Sequence, residues 1–227
     1  MTRTVRGLLA ALLLLAAGGG LRADSYYVIV FGAESKPERP KYSHSWATFV
    51  HVCGDACGPP SPGQMEWFTI SWLPCKVELT PHTPLAEPGR NFDLPTTFDV
   101  VLSQCEYVTA FGPYEIDCRL YSRALEHFHQ LESGRVRYKT LDWIRDPRRV
   151  SNCIHALTVF IPFHLRVHVG RTNFGSVASW AVTRSYDRYI ICKHEVHCRV
   201  ADALGLRAYP IKWRTLDDGR PHPNRED

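Results

Sequence analysis

The chain has 227 residues, 44% of them hydrophobic and 22% charged, with a formal charge of +4. This is the make-up of one ordinary folded domain with enough apolar material for a core, so disulfides are not needed to replace one. The positive balance is no argument for nucleic acid, because three of its arginines lie in the first 23 residues.

Arg3 and Arg6 precede the ten-residue apolar run "LLAALLLLAA", Leu8 to Ala17, which is followed by "GGGLRAD". A basic start, a short apolar stretch and small residues read as a secretory signal peptide with its cut after Ala23. The run is shorter than the ~20 residues a membrane span needs. Loss of residues 1–23 leaves 24 Lys+Arg against 23 Asp+Glu, a nearly neutral chain. The expected location is exported, periplasmic or extracellular, or membrane-anchored where the signal stays on.

"YYVIVFG" (Tyr26 to Gly32) reads as a strand from its β-branched and aromatic content, and "HSWATFVHV" (His44 to Val52) as a second. "CGDACGPPSPGQ" is turn chemistry, and "MEWFTISWLP" is a third strand stopped by Pro74. Core packing accounts for Trp46, Trp67 and Trp72 on these strands. The three fit a sequential antiparallel meander. Lys76 to Phe98 is a proline-rich connection with no clear period.

From about Pro113 the period becomes helical. Ile116, Leu120, Ala124, Phe128 and Leu131 recur three or four apart, and Gly134 stops the run. "RVRYKTLDW" alternates as a strand. Ser151 or Asn152 then caps a helix carrying Ile154, Leu157 and Phe160. "SVASWAVTRSYDRYI" and "HEVHCRVADALG" read as helices, and "AYPIKW" as a late strand. The layout is a 1–23 signal peptide, a single domain over 24–214, and a polar tail over 215–227. The fold class is α+β, an antiparallel sheet packed with helices.

Eight cysteines permit four disulfides in an oxidising compartment, Cys53/Cys57 and Cys192/Cys198 being the closest pairs. Cys153 differs from the rest by standing at a helix start. Unsatisfied amides and the helix dipole there favour a thiolate and a developing oxyanion. The adjacent His155 lies about 200° round the helix from Cys153, so it points away from the thiol and reads as structural. A base must come from elsewhere, and His44 opens an early strand.

A His at the start of an early strand, a helix, a Tyr-containing strand and then Asn152, Cys153 and His155 in "SNCIHAL" resemble the circularly permuted papain-like superfamily. Lecithin:retinol acyltransferase and its relatives belong to it. The similarity runs from about Tyr26 to Phe160. It implies Cys153 as nucleophile and His44 as base, with Asn152 and His155 as oxyanion or structural support. Ala156 stands where that family has Phe. Where the family often has a second His on the next strand, this chain offers Ser71, with Thr69 on the same face and Glu66 on the other.

The function these parts imply is an exported thiol-dependent hydrolase or acyltransferase. Its substrates would be peptide, cell-wall or other amide or acyl groups, with no cofactor and no metal. The alternatives are a non-catalytic secreted binding module of the same fold, and a disulfide- or zinc-stabilised structural domain. For the last, "CKHEVHC" gathers Cys192, His194, His197 and Cys198, but without the His-x3-His spacing of a zincin helix.

Overall fold

The computed structural model describes residues 24–33, 43–54, 64–77, 85–105, 107–141, 149–167 and 175–221. The expected signal peptide, Cys57 and the last six residues of the expected tail lie outside them.

The architecture is mixed α+β, with largely antiparallel sheets packed against helices. The main sheet has five strands in the order β3-β2-β1-β6-β9. These are β1 (Ser25–Ala33), β2 (His44–Val52), β3 (Met65–Ile70), β6 (Val108–Ile116) and β9 (Ile211–Arg214). β1, β2 and β3 form the expected antiparallel meander. β6 pairs antiparallel with the far edge of β1, and β9 adds to it in parallel. A smaller sheet joins β4 (Trp72–Pro74), β5 (Glu87–Asn91), β7 (Arg137–Tyr138) and β8 (Val150–Ser151).

Helices cover both faces of the main sheet, so its central strands read as continuous apolar runs. On one face α2 (Cys118–Glu132), α3 (Cys153–Thr158) and α4 (Gly175–Ser185) pack on Val28, Val30, Ala47, Phe49 and Ile70. On the other, α1 (Leu94–Leu102) and α5 (Cys198–Ala203) enclose Ile29, Phe31, Trp46 and Phe98. α4 lies directly against β1 because both contact points are glycines. A Cβ on Gly32 would run into the Gly175 carbonyl, and one on Gly175 into the backbone of Ala33.

Several elements differ from their sequence reading. The "MEWFTISWLP" run is two strands in two sheets, broken at Ser71. The break exists because Asn91 takes over the backbone pairing there. Its amide accepts from the Ser71 N–H at 2.7 Å and donates to the Thr69 carbonyl at 2.7 Å. The stretch expected to be a connection holds β5 and α1, the helix capped by Asp93 and opened by Pro95. Residues 113–116 belong to β6, and helix α2 begins only at Cys118, with Asp117 as its cap. His194–His197 precede α5 rather than forming its first turn. Trp67 is exposed, unlike Trp46 and Trp72.

Among the seven described cysteines none forms a disulfide, Cys192 and Cys198 included. No helix of the described residues is long and apolar enough to cross a membrane.

Candidate functional site

α3 is a short helix, and its start is fixed by side-chain chemistry. Asn152 has extended backbone angles, and its Oδ1 accepts from the His155 N–H at 2.8 Å. Its amide nitrogen donates to the Thr140 carbonyl at 3.3 Å. The Asn152 side chain is thus occupied in holding the helix start, and Cys153 is the first helical residue behind it. Cys153 is partly exposed, whereas His155 is 3% exposed. This difference follows from their separation round the helix.

α3 packs against β2, β4 and β8. One fixed link joins these parts: the Trp72 indole N–H donates to the Ser151 carbonyl at 3.2 Å, two residues before Cys153. The segment that leads into the nucleophile candidate is therefore tied to the residue that follows Ser71.

His44 is 4% exposed and opens β2. Its Nε2 is 2.9 Å from the Ser71 Oγ, and Ser71 is fully buried. Ser71 is itself held by the Asn91 contact to its backbone. The His44 Nδ1 is buried and has no hydrogen-bond partner. Burial without a counter-charge lowers the ring's pKa to about 3, so the imidazole is neutral across the ordinary pH range.

The structure thus joins His44 to Ser71 and leaves Cys153 outside that hydrogen bond. Alternation along β2 gives the reason. His44 and Trp46 leave the strand on the same face, with their rings stacked at 5.4 Å and 13°. Trp46 belongs to the cluster under α1, while Cys153 packs with the cluster on the opposite face, beside Ala47, Phe49 and Trp72. Thr69, two residues from Ser71, pairs with the Thr48 hydroxyl at 3.0 Å on the His44 face. Glu66 is remote from both and approaches His51.

Two residues of this region escaped the sequence reading. Asn91 lay in a segment with no periodic signal. His127 takes a buried position on α2 that the apolar period had given to Phe128, which is only partly buried. Its Nδ1 lies 3.4 Å from the Gln130 Oε1, its ring 5.8 Å from that of Phe160, and burial lowers its pKa to about 4.

A cavity of about 380 Å³ lies elsewhere, between the segment after α3 and α4. Arg166, Trp180, Arg184 and Arg220 line it, and neither Cys153 nor His44 does. Arg166 donates to the Val159 carbonyl and Arg184 faces Asp187, so two of its cations are engaged. The cavity is not the Cys153 site. Comparison with known proteins gives no matching family model, no similar curated protein and no similar solved structure.

Proposed function

We propose that this chain is an exported thiol-dependent hydrolase or acyltransferase with a circularly permuted papain-like arrangement. In this reading Cys153 attacks the carbonyl of an amide, peptide or acyl substrate and His44 is its base. The observation that carries the reading is the buried His44–Ser71 pair. It holds a neutral imidazole by one nitrogen and leaves the other without a partner. A neutral ring is the form able to accept a proton, and a hydroxyl on Nε2 fixes its orientation.

The low pKa of His44 favours one of two resting states. A thiolate–imidazolium pair would place a cation where burial opposes it, so the reading takes the neutral imidazole as the form that meets the thiol. The proton moves from Sγ to the imidazole as the thiolate attacks, and the Cys153 amide contributes to oxyanion binding. A thioester forms, the leaving group takes the proton from His44, and water or another acceptor then releases the acyl group. His44 leaves β2 on the face away from α3, so this reading requires the first residues of β2 to reorient when substrate binds.

A second reading is favoured by one specific observation, the stack of His44 on Trp46 on the sheet face away from α3. There the His44–Ser71 pair is a structural core contact, and the chain is a secreted binding module of the same fold.

Site-resolved mass spectrometry of iodoacetamide-treated protein separates the two. The enzyme reading expects Cys153 to label faster than the exposed Cys75 and Cys118, and to slow in His44→Ala and His44→Gln. Labelling of Cys153 no faster than Cys75, or unchanged in both variants, leaves the binding module.

A further inference from the structure

We propose that Asp24, His51 and Cys53 form a binding site for a borderline-soft divalent cation of the zinc type. The site lies at the opposite end of β2 from His44. Seven residues of extended chain separate His44 from His51, about 23 Å, so this proposal is independent of the thiol chemistry above.

The sheet register assembles the donors. Ser25 pairs with Val52, so Asp24 and Cys53 emerge next to each other where β1 begins and β2 ends. His51 pairs with Tyr26 on one side and Glu66 on the other. As a result one ligand atom from each of Asp24, His51 and Cys53 lies within 4.8 Å of the other two. The Asp24 Oδ2 is 3.3 Å from the His51 Nε2, and the Cys53 Sγ is 3.9 Å from each of the two ring nitrogens. Zinc bonds of about 2.0–2.3 Å place neighbouring donors of a tetrahedral ion roughly 3.3–3.8 Å apart. The Asp24–His51 spacing is that of a coordination shell, and rotation of the Cys53 side chain towards Nε2 completes it.

The donor chemistry selects the metal. One carboxylate oxygen, one imidazole and one thiolate suit zinc rather than magnesium or calcium, which take oxygen shells. Three protein donors leave a tetrahedral ion one position for water.

The surroundings orient the histidine as a ligand requires. Its ring stacks on Tyr26 at 4.8 Å and 10°. With Nε2 facing Asp24, Nδ1 faces the Glu66 carboxylate at 3.9 Å. A metal-bound imidazole is commonly held by a carboxylate on its other nitrogen. Glu66 is therefore a positioning residue, which gives this exposed strand glutamate a role. The "CKHEVHC" stretch is not brought together in the same way. His194 pairs with Asp217 at 2.7 Å, and His197 faces Glu115 and Glu195 at 3.9 Å.

The test uses the full chain, purified under reducing conditions, and cobalt(II) and zinc(II) as probes. Cobalt(II) added to the wild-type protein should give a thiolate charge-transfer band that one equivalent of zinc abolishes. The band should be absent in Cys53→Ser. Competition against a chromophoric chelator should show zinc binding lost in His51→Ala and Asp24→Ala, and weakened about 10- to 100-fold in Glu66→Gln. The first measurement needs no variant to fold, and the four positions are near strand ends at the protein surface. No charge-transfer band in the wild type, or zinc binding unchanged by His51→Ala and Cys53→Ser, overturns the proposal.

Discussion

β2 carries a histidine near each end, and the two live in opposite chemical worlds. His44 is enclosed, stacked on Trp46 and hydrogen-bonded to a serine hydroxyl. His51 is partly exposed and faces two carboxylates and a thiol, with one flat side against Tyr26. Seven positions apart on a period-two strand, they also leave on opposite faces. The same side chain is thereby made a neutral, dry group at one end and a prospective metal ligand at the other. Burial and the charges within reach decide which, and neither is a property of the strand itself.

The largest expected effect tests the dry end by pH. The His44 ring stays neutral in the fold down to about pH 3, whereas an unfolded histidine protonates near pH 6.5. Between those values the unfolded state binds more protons, so stability is full above about pH 6.5 and is lost as pH falls towards 3. His127, lowered to about 4, acts in the same direction. Between pH 6 and 5, above most carboxylate titrations, each should remove roughly 1.2 kcal/mol. Urea midpoints across this window should fall steeply in the wild type and less steeply in His44→Gln. Equal slopes would mean that His44 is not held neutral.

The next effects ask what holds that end in place. Asn91→Ala leaves the Ser71 N–H and the Thr69 carbonyl without the bonds they now make. It should cost about 2 kcal/mol in denaturant unfolding. Ser71→Ala removes a single neutral contact to His44 and should cost about 1–2 kcal/mol. A smaller loss for Asn91→Ala than for Ser71→Ala would show that the strand break is maintained by something other than that clamp. The smallest effect belongs to the wet end. Without metal, His51→Ala removes a ring that is 18% exposed and stacked on Tyr26, and should cost about 0.5–1 kcal/mol. Added zinc should raise the thermal midpoint of the wild type and leave that of His51→Ala unchanged.

Much of this arrangement was legible along the chain. β2 runs from His44 to Val52 as its composition indicated, and Asn152 is the helix cap that the "SNC" order suggested. Gly134, expected to stop α2, follows it in the left-handed conformation at φ 71°. The failures share a cause. "MEWFTISWLP" has no local break signal at Ser71, because the break comes from Asn91, 20 residues away. The apolar period of α2 placed Phe128 inward, yet the packed helix turns His127 into the core. Local sequence sets which residues alternate; it does not set which neighbour meets them.

The sequence by itself determined strands β1 and β2, the cap that puts Cys153 first in its helix, and the opposing directions of Cys153 and His155. These depend on periods of 2.0 and 3.6 residues and on short-range hydrogen bonds. Only the tertiary structure decided that His44 pairs with Ser71 on the face away from α3, and that Asp24, His51, Cys53 and Glu66 gather at the end of β1–β3. Those meetings depend on strand register and on which face each helix covers, quantities set by the whole core at once.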